Sequence, residues 1–319
     1  MKTRLYTPGP VEIPARILRA LSQVPPHHRT DVFRQTILKR VTEELKRLHG
    51  TEGEVFLLAA SGTGAMEAAV VNSAGSGDKA LVVTAGKFGD RWASILKAYG
   101  IAHETLAFDW GTAIDPAAIE RALDRDPQLG TVFITHSETS TGAIHDVEAI
   151  AQLTRAKGRR IFVDAITSVG VHPMPQDAWG VDVVVCGSQK GLMCPPGIAT
   201  IATRAVGSAS GSRATGCRAS TTTCSEGAEE RSRIGETSFT PPVSLVLALE
   251  EALTMIREER AQRSPPPPPP PRAGDARRRA SSSASACSRR ACRTRSPRSR
   301  RPTASTRARS SSGCARPTA

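Results

Sequence analysis

From Val55 to Ala202, short and continuously apolar runs alternate with longer stretches that carry one apolar face. The runs Val55–Ala60, Ala80–Thr84, His103–Phe108, Thr131–Thr135, Arg160–Val163, Val181–Val185 and Ile198–Ala202 read as strands. Helices are predicted between them, over about Gly64–Asn72, Gly89–Tyr99 and Val147–Lys157, with another starting at Asp115-Pro116. Strands that do not alternate apolar with polar residues are buried on both faces, and strands separated by helices are joined by crossovers. The pattern predicts an α/β fold, a mainly parallel sheet covered by helices, over residues 31–203. Residues 1–30 read as an N-terminal arm, irregular at Thr7-Pro8-Gly9-Pro10, with a short helix from Pro14. A longer helix is predicted from Asp31, its cap, to about His49, with Phe33, Ile37, Val41, Leu45 and Leu48 on one face and Gly50 just past its end.

Two stretches break this pattern. Residues 204–234 form an irregular segment in which Val206 is the one large aliphatic residue before Ile234. Residues 260–319 contain no Ile, Leu, Val, Met, Phe, Trp or Tyr and include seven consecutive prolines, Pro265 to Pro271. Such a tail has nothing to bury against the entropy of ordering it, so disorder is expected. Between the two, residues 235–259 read as a returning helix of the large domain, with Thr240 available as N-cap and proline in the first turn. Both unusual stretches are built mostly from Arg, Pro, Ala, Gly and Ser, whose codons are GC-rich. They read like a GC-rich gene translated out of frame, with the frame restored around Gly235 and lost near Arg260.

The charge follows the same division. Residues 260–319 carry sixteen arginines against the single acid Asp275, a surplus of fifteen, so with a chain total of +13 everything before residue 260 sums to −2. A basic chain suggests nucleic acid as a partner, but here the charge belongs to the tail, which lacks interleaved aromatics for stacking on bases. Five of the seven cysteines also fall in the two unusual stretches, and no C-x₂-C pair or histidine cluster suggests a metal. No apolar run is long enough to span a membrane, and the start lacks the core of a signal peptide. A reducing cytoplasm is the expected compartment.

Polar residues at strand ends carry the chemistry. Asp164 ends one strand, and Lys190 follows another 26 positions later, after Gly187-Ser188-Gln189. An acid and an amine at one sheet edge can hold a pyridine ring between them, as pyridoxal phosphate requires, the acid at the ring nitrogen and the amine at the aldehyde carbon. The plainer alternative is a helix-capping acid and a surface lysine. Ser61-Gly62-Thr63-Gly64 joins a strand to a helix and has the shape of a phosphate cup, or of an ordinary tight turn. It is neither a P-loop nor a dinucleotide fingerprint. Glu138-Thr139-Ser140-Thr141-Gly142 offers hydroxyls to a ring or a carboxylate, or only to its own loop. Phe88 can stack on a flat ligand or fill core.

Taken together, Thr7-Pro8-Gly9-Pro10, Ser61-Gly62-Thr63-Gly64, Phe88-Gly89-Asp90-Arg91, Glu138-Thr139-Ser140-Thr141-Gly142, Val163-Asp164-Ala165 and Gly187-Ser188-Gln189-Lys190 with Pro195-Pro196-Gly197 resemble the class V aminotransferases of fold-type I, in their alanine–glyoxylate and serine–glyoxylate (serine–pyruvate) branch. The resemblance spans residues 1 to about 203 and resumes over about 235–259. It implies a pyridoxal 5'-phosphate enzyme moving an amino group from a small amino acid to a 2-oxo acid. It gives Lys190 the covalent attachment of the cofactor and the proton transfer, and Asp164 the pyridine nitrogen. Phe88 would stack on the ring and Ser140 would contact its side. Ser61, Gly62, Thr63 and Gln189 would surround the phosphate. Thr240 would reach the phosphate in the partner subunit, which implies a homodimer with shared sites. The family's small C-terminal domain, which supplies an arginine for the substrate carboxylate, is missing or scrambled here, so impaired activity is expected. A lyase or desulfurase of the same fold is the nearest alternative, but desulfurases usually carry His before the lysine, where Gln189 stands. An inactive scaffold with a basic, nucleic-acid-binding tail is the third reading.

Overall fold

The computed structural model describes residues 5–73, 79–205, 237 and 239–263. Apart from their first residues, the irregular segment over 204–234 and the tail over 260–319 lie outside the described residues.

Seven strands form one sheet: β1 (Val55–Leu58), β2 (Lys79–Thr84), β3 (His103–Ala107), β4 (Leu129–Thr135), β7 (Arg160–Asp164), β8 (Val183–Gly187) and β9 (Ala199–Thr203). Their order is β1-β9-β8-β7-β4-β2-β3. Every pair from β8 to β3 is parallel, and β9 runs antiparallel to both of its neighbours. The mainly parallel, helix-covered sheet expected from the sequence is therefore present. Two further two-residue strands, β5 (Ser137–Glu138) and β6 (Ala143–Ile144), make a small hairpin beyond β4. The strand pattern could not reveal it, because two residues establish no period.

Helices cover both faces. On one face lie α3 (Gly62–Ser73) and α4 (Lys87–Ala98), which bury Met66, Val70, Trp92 and Leu96 against Phe133, Phe162, Val185 and Ile201. Trp92, Phe133 and Phe162 stack in a row with ring centroids 5.0 and 5.2 Å apart, a spacing that favours tilted aromatic pairs. The other face is covered by α2 (Lys39–His49), α5 (Pro116–Arg125), α6 (Val147–Ala156) and α8 (Val243–Arg263), with Val41, Leu45, Ile119, Ile150, Val163, Val184 and Leu249 in its core. A short α7 (Gln176–Trp179), not foreseen, is held by Gln176 Nε2 donating to the Ala202 carbonyl at 3.0 Å.

Three expectations need correcting at helix ends. Asp31 does not cap the helix that follows: its own backbone is already helical, its carboxylate takes Arg34 at 2.8 Å, and residues Val32–Leu38 wind as a π-helix running into α2. Thr240 does not cap α8, whose first turn closes from Val246 N–H to the Pro242 carbonyl at 3.0 Å, leaving Thr240 exposed outside it. Residues 260–263, assigned to the tail, are the last turn of α8. The body of α8 is tied to α1 (Ala15–Leu21) and α2 by Arg16 with Glu251 and Glu258, Arg40 with Glu250, and Arg257 with Glu44.

Candidate active site

In an open parallel sheet the carboxyl ends of the strands share one edge, and loops leaving that edge build the ligand site. Here the loops after β1, β2, β4, β7 and β8 converge on an open cleft of about 140 Å³. Its lining includes Ser61, Gly62, Thr63, Phe88, Asp164, Gln189 and Lys190, seven of the nine residues expected at a site. It also includes Thr139, one of the loop hydroxyls offered to a ring or a carboxylate, and Arg91, Ile166 and Thr167, for which the sequence offered no individual role.

Asp164 is the last residue of β7, only 3% exposed, and Oδ1 accepts from Ile166 N–H at 2.9 Å. Burial raises its pKa to about 7, against the pull of that hydrogen bond; the Glu138 charge adds to the rise, and Arg91 and Lys190 oppose it. Lys190 lies half-buried three residues beyond β8, where burial lowers its pKa. Its Nζ donates to the carbonyls of Pro8 at 3.1 Å and Gly9 at 3.4 Å, so the N-terminal arm lies against the amine. Val11 N–H to the Gln189 carbonyl, 3.3 Å, fastens the same arm to the lysine loop. The acid and amine inferred from two separate strands thus meet in one cleft, each shifted toward its neutral form.

Opposite them is the start of α3. Ser61 Oγ accepts from Gly64 N–H at 3.4 Å as an N-cap, while the first amides of a helix have no intrahelical acceptor. That end suits an anion. Thr63 Oγ1 accepts from Arg91 Nη1 at 3.0 Å, and the Arg91 guanidinium carbon stands 4.8 Å from the centroid of Phe88.

Ser140 and Thr240 stand elsewhere. The Ser140 hydroxyl donates to Glu138 Oε1 at 2.5 Å and accepts from Lys87 N–H at 3.0 Å, so it braces the start of α4 and does not line the cleft. Its neighbour Thr139 lines the cleft instead, sharing a 2.8 Å hydrogen bond with Thr167. One hydroxyl among several in a loop cannot be picked out by sequence, because the β5–β6 turn decides which one faces inward. Thr240 precedes α8 and does not line the cleft of its own chain. Among the described residues no group of three His, Cys, Asp or Glu side chains could hold a metal.

The class V aminotransferase family model matches residues 17–264. A protein of Synechococcus sp. described as "soluble hydrogenase, small subunit" is 42% identical over 262 residues, 81% of this chain and 67% of the relative. The serine–glyoxylate aminotransferase of Methylorubrum extorquens is 34% identical over 266 residues, 81% of this chain and 66% of the relative. Among solved structures, the alanine–glyoxylate aminotransferase of Nostoc sp. superposes with a TM-score of 0.74 at 30% identity, covering 81% of this chain and 69% of that one. The chain thus spans about two thirds of the length of the curated relatives it matches.

Proposed function

This chain belongs to the class V aminotransferases, which depend on pyridoxal 5'-phosphate, and on that premise we propose that it moves an amino group from a small amino acid such as alanine or serine to glyoxylate or pyruvate. The observation that carries this reading is the convergence of Asp164 and Lys190 in one cleft facing the start of α3.

The cleft suits the cofactor. Among the described residues the buried Asp164 carboxylate forms no ion pair, although the charges of Arg91 and Lys190 reach it, and a protonated pyridine nitrogen would supply a direct partner. Gln189 Oε1 is buried without a hydrogen-bond partner among the described residues and is left for a ligand to satisfy. Ser61, Gly62 and Thr63 offer a helix N-terminus and hydroxyls to the phosphate. Phe88 offers a flat surface to the ring.

When bound, pyridoxal phosphate supplies an aldehyde that takes up the amino group and a ring that draws electrons from the substrate's α-carbon. The chain supplies placement and proton movement. Asp164 would hold the ring nitrogen in its protonated form. Lys190, whose pKa burial lowers, would hold the aldehyde end of the cofactor and carry the substrate's α-proton. Ser140 fixes the loop that presents Thr139. Thr240 reaches toward the phosphate site of a second subunit in a homodimer. The buried free thiols of Cys186 and Cys194 suit a reducing cytoplasm.

The C-terminal sequence sets a limit on rate. Residues 264–319 carry no large apolar side chain with which to build a core that would hold an arginine against the substrate carboxylate. Weak transamination by this 319-residue chain is expected, with rescue when a continuous reading frame replaces the two unusual stretches. Gln189, standing where desulfurases usually carry His, weighs against the desulfurase reading. Borohydride reduction of the loaded protein followed by peptide mass spectrometry tests the assignment. The adduct is expected on Lys190 and absent from Lys190→Ala; an adduct on Lys87 or Lys157 would refute it.

A further inference from the structure

A bound phosphate monoester brings a charge of about −2 into a partly desolvated cleft, more than hydroxyls and amides comfortably balance. The cations lining the cleft are Lys190 and Arg91. Lys190 is committed to the arm carbonyls and, in the reading above, to the aldehyde end of the cofactor. We propose that Arg91 is the counter-ion that holds the cofactor's phosphate. This rests on the pyridoxal phosphate reading of the cleft.

The geometry carries it in three ways. Arg91 leaves the first turns of α4 with its guanidinium 4.8 Å from the Phe88 centroid, and this cation–π contact fixes the group without using its N–H donors. One donor, Nη1, goes to Thr63 Oγ1 at 3.0 Å, beside the start of α3. A guanidinium has five N–H donors, and among the described residues no carboxylate forms an ion pair with Arg91, whose charge acts on Asp164 only without direct contact. The neighbouring Asp90 is turned away, its Oδ1 accepting from the Thr84 hydroxyl at 2.7 Å. Thr63 gains from the arrangement too: its oxygen already accepts from Arg91, so its own O–H is left to donate outward to a phosphate oxygen. Arg91, Thr63 and the α3 amides then surround one anion from three sides.

Comparing pyridoxal 5'-phosphate with pyridoxal, which lacks the phosphate, separates this role from a purely structural one. Both are titrated into the cofactor-free full chain and into Arg91→Gln and Arg91→Lys, followed by the absorbance of the lysine-bound cofactor. Arg91→Gln should weaken pyridoxal phosphate binding about a hundredfold while changing pyridoxal binding less than about threefold. Arg91→Lys should fall between, retaining charge but losing the planar fork. Inorganic phosphate should compete with pyridoxal phosphate in the unaltered chain and lose potency in Arg91→Gln. Pyridoxal uptake also reports that each variant keeps its cleft. Equal losses for both ligands would show that Arg91 only props Phe88 and would overturn the proposal, as would unchanged pyridoxal phosphate affinity in Arg91→Gln. An unaltered chain that binds neither ligand would instead overturn the functional reading itself.

Discussion

Asp164 is the residue on which stability and chemistry pull in opposite directions. Its folded pKa is raised, to about 7 from 3.8, so between those values an unfolded chain releases a proton that the folded one keeps. Ionisation therefore favours unfolding: the cost is absent below pH 3.8, grows as pH rises, and levels off above about 7. At about 1.4 kcal/mol per pH unit, the gap between those two values sets an upper limit of about 4 kcal/mol. Asp164→Asn removes the cost, so the cofactor-free variant should melt higher than the unaltered protein at pH 8, with the gap narrowing toward pH 4. On the proposed pairing of Asp164 with the ring nitrogen, the same variant should take up cofactor but lose at least about a hundredfold in turnover. Near-normal turnover would contradict the assignment. Gly9 is a second sensitive position, with φ at 125°, and a Cβ there would collide with Lys190 Cδ. Gly9→Ala adds backbone strain of about 1–3 kcal/mol and displaces either the arm or the lysine. A clear loss of cofactor affinity in the same titration is the expected result.

Among the elements, α4 owes its position to a buried acid outside it. The Glu138 carboxylate, 1% exposed, accepts from Phe88 N–H at 3.1 Å, Gly89 N–H at 3.0 Å and Ser140 N–H at 3.1 Å. A negative group at a helix N-terminus satisfies amides that have no intrahelical acceptor and complements the dipole. Gly86 makes room for it, since a Cβ there would lie 2.5 Å from Glu138 Cγ. Because α4 carries both Phe88 and Arg91, this cap sets two walls of the cleft. Glu138→Ala should cost about 3 kcal/mol in urea unfolding by stranding buried N–H groups, and Glu138→Gln less. Strand and helix positions were legible from the apolar runs, typically to within two residues. Helix caps were less so: Asp31 and Thr240 have the right chemistry but not the right backbone, and a cap depends on where the chain enters the helix.

For the whole molecule, acid is the expected weak point. His49 and His136 have pKa values lowered to about 4, and that of His145 is lowered as well, in each case first by burial. Below pH 6.5 an unfolded chain binds protons that these folded-state rings refuse, so stability falls as pH drops from 6.5 toward 4. Asp164 runs the other way over part of that range, but three histidines oppose one acid. Melting temperatures across pH 4–8 should decline below about 6.5, and His136→Gln should flatten the slope. By itself the sequence determined the α/β class and the succession of strands along the chain, and it set an acid, an amine and hydroxyls at strand ends, because each is written in local apolar periodicity and in residue type. It also determined that residues 260–319 lack the large apolar side chains needed for a core of their own. Only the tertiary structure decided the sheet order, the reversal of β9, the turning of Ser140 away from the cleft and the arrival of Arg91 within it. Those outcomes depend on which distant segments pack together, and the spacing of residues along one chain does not encode that directly.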